Sequence, residues 1–93
     1  MTDTAMLIRA RLAVLDPAHL DIVDDSAAHI GHAGAASGGG HFRLNIVSNR
    51  FAGMGTLARH RLIYQSLGDL MTGRIHALSI TAITPTESGR TST

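Results

Sequence analysis

The sequence predicts an α+β domain in the order α-β-β-α-β, with a three-stranded mixed sheet and helices packed on one face. Two stretches, 41–48 and 75–83, alternate apolar and polar residues with the period of a half-buried strand. A third, 56–71, repeats its apolar residues at helical spacing. With 93 residues there is room for one domain and a thin core.

Residues 4–15 read as the first helix. Ile8, Leu12 and Leu15 recur at i, i+4 and i+7, and Asp3 or Thr2 stands where an N-cap belongs. Asp16-Pro17 ends it, because a residue before proline avoids the α conformation. Residues 20–25, LDIVDD, form a short strand candidate. The next stretch, HIGHAGAASGGGH at 29–41, is too rich in glycine and histidine for a regular element. A connection this long inside a compact domain is usually functional or disordered. In 41–48, Phe42, Leu44 and Ile46 share one face and Arg43 and Asn45 the other. Residues 49–56 form a turn with two glycines.

The second helix, 56–71, places His60, Ile63, Tyr64, Leu67, Leu70 and Met71 on one apolar face, and Thr72-Gly73 closes it. In the third strand, strict alternation puts His76, Leu78 and Ile80 together. The domain is read as 1–86, with 87–93 a flexible polar tail.

Composition narrows the chemistry. The chain has no cysteine, so a disulfide framework, a thiolate metal site and a cysteine nucleophile are all excluded. No carboxylate pair, nucleophile–base pair or phosphate loop is visible, and catalysis is not expected. No apolar run reaches the roughly 20 residues of a membrane span, and a cytoplasmic location is the expectation. Net charge is +1, yet residues 26–68 hold Arg43, Arg50, Arg59 and Arg61 and no acid. That segment would suit an anionic partner.

The stretch RFAGMGTLARHRLIYQSLGDLMTGRIHALSITAITP resembles the BolA family. The likeness rests on HFR opening the second strand, Phe51-x-Gly53, RHRLIY on the helix, and HALSI with TP after it, and it runs over roughly residues 5–86. It implies a BolA-like fold related to the class II KH domain. It also implies two roles. One is partnership with a monothiol glutaredoxin around a [2Fe-2S] cluster shared with glutathione, no cofactor being expected in the isolated chain. The other is transcriptional regulation by DNA binding. Alone, the protein is expected as a monomer, with homodimerisation left open.

The resemblance assigns His76 as the C-terminal cluster ligand. A second ligand comes from the loop between the first two strands, where counting from either side reaches His29 or His32, with His32 preferred. His41 is a further candidate as a third ligand. Without the family, His76 reads as a partly buried histidine held by one hydrogen bond. His60 and Tyr64 are read as structural, the His60 ring hydrogen-bonded inside, and His19 as a surface turn residue. Gly53-Met54-Gly55 is not the GxxG clamp of a KH domain, so nucleic-acid contact falls to Arg50, Arg59 and Arg61 as phosphate ligands.

Overall fold

The computed structural model describes residues 3–26 and 40–91. Helix α1 (Thr4–Leu12) continues into a 3-10 turn at Ala13–Leu15. Asp3 is the N-cap: its Oδ1 accepts from the Ala5 amide at 3.2 Å. Asp16 meets the constraint of the following proline by taking a left-handed conformation (φ 47°, ψ 57°). Strands β1 (His19–Asp24) and β2 (Gly40–Val47) pair antiparallel, and β3 (Ile75–Ile83) lies parallel to β2, giving the order β1-β2-β3. His19 therefore opens a strand rather than sitting in a turn, and it is exposed.

A 3-10 turn (Asn49–Phe51) leads to α2 (Thr56–Leu67) and the short α3 (Leu70–Gly73). The single helix expected over 56–71 is thus two. Gly68 breaks it with φ +55°, and the Arg11 guanidinium covers the break, donating to the Leu67 carbonyl at 2.8 Å and pairing with Asp69 at 2.9 Å. Carbonyls left free at a helix C-terminus favour such a cation.

One face of the sheet carries the core. Ile8, Leu12 and Leu15 pack with Phe42, Leu44 and Ile46 of β2, and with Phe51, Ile63, Leu67, Leu70 and Ile75. The opposite face shows Arg43, Asn45, Ser79 and Thr81 to solvent. Tyr64 is corrected by this packing. It is 41% exposed, because Ile63 and Leu67 define the buried line of α2 and Tyr64 falls beside it.

The C-terminal segment also departs from expectation. Helix α4 (Pro85–Thr91) forms where a flexible tail was expected from residue 87. Its start is a capping box: Glu87 Oε1 accepts from the Thr84 amide at 2.8 Å, and the Glu87 amide donates to Thr84 Oγ1 at 3.2 Å.

Candidate functional site

Two of the predicted site residues meet where β2 and β3 begin. In the ladder, Gly40 faces Ile75 and His41 faces Ala77, so His76 is an extra residue opposite nothing: a β-bulge. The bulge corrects the strict alternation. It lets Ile75 and Leu78 both turn toward the helices and releases His76, which is exposed. The His76 ring comes to rest against His41, with centroids 5.1 Å apart and planes tilted by 40°.

His41 itself is held firmly. Its amide donates to Ser26 Oγ at 3.0 Å and its carbonyl accepts from the Asp25 amide at 2.7 Å. Beside it, the Gly40 amide donates to the Arg74 carbonyl at 3.0 Å. A Cβ at Gly40 would lie 2.5 Å from the Phe42 ring, so only glycine fits there. Arg43, next on the outward row of β2, is bound by Asp25 at 2.6 and 3.4 Å. Asp25, His41, Arg43, Ala77 and Ser79 line a shallow depression on this open face.

The expected loop ligands, His29 and His32, lie outside the described residues. Among the described residues no three metal-binding side chains converge. His60 is half-buried on α2, and no described residue hydrogen-bonds its ring.

The arginines separate sharply. Arg59 is not a surface cation. Its side chain is 12% exposed, and it grips Glu87 through Nη1 at 2.6 Å and Nη2 at 3.0 Å. It also donates to the carbonyls of Met54 and Ala82, both at 2.9 Å, and lies over the Phe51 ring. The assignment of Arg59 to phosphate binding is therefore corrected: all three of its guanidinium nitrogens are engaged within the fold. This bidentate pair, with the Thr84 amide, holds the Glu87 carboxyl down at about 2. Arg50 and Arg61 are exposed and pair with no acid among the described residues.

A family model described as BolA-like protein matches residues 12–87. The chain belongs to the BolA-like family. The BolA-like protein 1 of Mus musculus is 43% identical over 81 residues, which cover 86% of this chain and 57% of that protein. The Escherichia coli (strain K12) protein named DNA-binding transcriptional regulator BolA is 39% identical over 80 residues, covering 81% and 73%. The solved BolA domain of SufE1 from Arabidopsis thaliana superposes with a TM-score of 0.79 at 43% identity, covering 94% of this chain and 98% of that one. Such agreement places the three-stranded sheet and its helices in the BolA-like fold. The chain spans 24% to 61% of the length of its plant and mammalian relatives. Two plant relatives carry organelle names, chloroplastic or chloroplastic/mitochondrial. No helix among the described residues is long and apolar enough to cross a membrane.

Proposed function

We propose that this BolA-like domain is an adaptor that docks a monothiol glutaredoxin and lends His76 to a [2Fe-2S] cluster. The carrying observation is the bulge, which sets the His76 imidazole out of the core beside a second imidazole. The donor set fits the group. This chain has no cysteine and offers the neutral imidazole of His76, and the thiolates would come from the partner and its bound glutathione. Histidine ligation raises a cluster's reduction potential relative to all-thiolate ligation and makes ligation sensitive to protons. His32 or His29 is the loop donor in this reading, and the chain alone is a monomer without cluster. The cytoplasm, where thiols stay reduced, is its compartment.

Anaerobic reconstitution with a monothiol glutaredoxin, read by visible absorption and circular dichroism, tests this. His76→Ala should leave the fold intact and alter the mixed-complex spectrum strongly. Of His32→Ala and His29→Ala, one should be damaging and the other near-silent. An unchanged spectrum in His76→Ala overturns the ligand assignment.

A second reading, DNA-binding regulation, is favoured by the exposed, acid-free Arg50 and Arg61 and by the name of the Escherichia coli relative. With Arg59 withdrawn, two phosphate contacts remain rather than three. Arg61→Ala should then weaken DNA binding evenly across sequences and flatten its salt dependence. Binding that ignores both arginines and salt would refute it.

A further inference from the structure

We infer that the outer face of α2 is a docking groove for an acidic, amphipathic helix of a partner protein. Helical spacing builds the groove. Leu57, Ala58, Arg61, Leu62 and Gln65 recur at intervals of three and four residues, so they stand in one stripe about two turns long. Met54, in the turn before the helix, closes its N-terminal end, and the depression they line holds about 500 Å³. The fold does not cover it. Helix α2 buries Ile63 and Leu67 and leaves this stripe outside, with Leu57 65% exposed and Met54 and Leu62 half-buried. A single exposed leucine is ordinary on a protein surface, but one that borders a lined depression marks an interaction site.

Charge selects the occupant. Helix α2 carries Arg59, His60 and Arg61 and no carboxylate. Glu87 takes up Arg59, whereas Arg61 lines the groove and pairs with no acid among the described residues. The cap residue, Gly55, has no side chain to accept from the first amides, and the first turn holds no acid. The positive end of the helix dipole is therefore uncompensated at the same end of the stripe. Carboxylates one to two turns apart on a partner helix would answer both charges, and its apolar residues would seat among Met54, Leu57 and Leu62. Shape agrees. Packed helix axes lie about 8–10 Å apart, and the small residues Gly55 and Ala58 leave room for that approach. A Cβ at Gly55 would meet nothing within 4 Å. DNA fits less well, because a phosphate would satisfy Arg61 and leave Leu57 and Leu62 against a charged backbone. The groove shares no lining residue with the depression beside His41, so the inference stands apart from the cluster reading.

Panning the full chain against a phage-displayed library of amphipathic helical peptides is the test, followed by amide NMR of the chain with the selected peptide. Selected sequences should carry Asp or Glu beside apolar residues at helical spacing. The peptide should shift the amides of Leu57, Ala58, Arg61 and Gln65. Arg61→Glu and Leu57→Ala, checked for folding by circular dichroism, should each weaken it about tenfold or more. Changing the peptide's acids to lysine should restore binding to Arg61→Glu, which a merely structural effect would not do. Should a variant fail to fold, the parent chain decides: with its acids changed to glutamine, the peptide must bind about tenfold more weakly. A random-sequence DNA duplex is the competing probe, and retention of the peptide in its presence is expected. No selected peptide, a basic or uncharged consensus, shifts confined to other elements, or full affinity in either folded variant overturns the proposal. Displacement of the peptide by an equal concentration of duplex overturns it too and assigns the face to nucleic acid.

Discussion

Replacing Arg59 by methionine keeps most of its aliphatic stem and removes the guanidinium, and the structure sets the expected cost. Four hydrogen bonds are lost, two to Glu87 and one each to the carbonyls of Met54 and Ala82. The Glu87 side chain is 39% exposed, so water takes over at that end. The two carbonyls lose a charged donor at a place the side chain had sealed. At the low end for bonds to charged groups, about 1.5 kcal/mol each, they come to about 3 kcal/mol. A chain of 93 residues has an unfolding entropy near 0.2 kcal/mol/K, so the melting temperature should fall by about 15 °C. The assay is thermal unfolding by circular dichroism at low and high salt. An ordinary surface pair would cost under about 1 kcal/mol and lose that in salt. A drop of only a few degrees that vanishes in salt would refute the reasoning and return Arg59 to the surface. A folded Arg59→Met domain with unchanged DNA affinity would separate the structural role from phosphate contact.

The depressed Glu87 carboxyl has a signed consequence. Its contribution is fully present above the unfolded value of 4.5 and is lost as pH falls toward about 2. Melting temperature followed across that window should fall less steeply in Glu87→Gln than in the parent chain. Ser48 is fully buried, donates to the Leu15 carbonyl at 2.6 Å and accepts from the Arg50 amide at 3.1 Å. Ser48→Ala should therefore cost about 1–3 kcal/mol in urea unfolding, and a cost near zero would show that water fills the place. Gly68→Ala puts a Cβ on a residue with φ +55°, 3.3 Å from Arg11 Nη1. A loss of about 1–3 kcal/mol is expected, and an unchanged unfolding midpoint would mean that the backbone relaxes freely.

What could be read from the sequence depended on whether a signal was local. Phe42, Leu44 and Ile46 announced β2 because alternation is a property of neighbours, and β3 was bounded at 75–83 for the same reason. The helix break was harder. Leu67, Leu70 and Met71 keep helical spacing straight through Gly68, and Gly73 offered a more familiar stop. Helix α4 had a readable start, Thr84-Pro85-x-Glu87, a capping box with proline in the first turn. The residues around it, TPTESGRT, hold no apolar period to mark a helical face. Arg59 could not be read at all: its carboxylate partner is 28 residues distant and its other acceptors are main-chain oxygens. His76 stands out by its motif, but its orientation does not, since the bulge leaves one slight trace, Ile75 standing out of phase with Leu78 and Ile80. His41 stood among the candidates without any sign that it would be the histidine brought to His76.

The clasp around His41 separates evolution of the segment 27–39 from evolution of the fold. Asp25 and Ser26 on one side, and Gly40, His41 and Arg43 on the other, are fastened to each other and to Arg74 irrespective of what is threaded between them. Lengthening a connection whose ends are already clasped costs little, about 0.6 kcal/mol for each doubling. The domain therefore has an interchangeable cassette whose residues can be inserted, deleted or given new donor atoms while the sheet keeps its register. A lineage could change the chemistry offered beside His76 by editing that cassette, with no compensating substitution in the core.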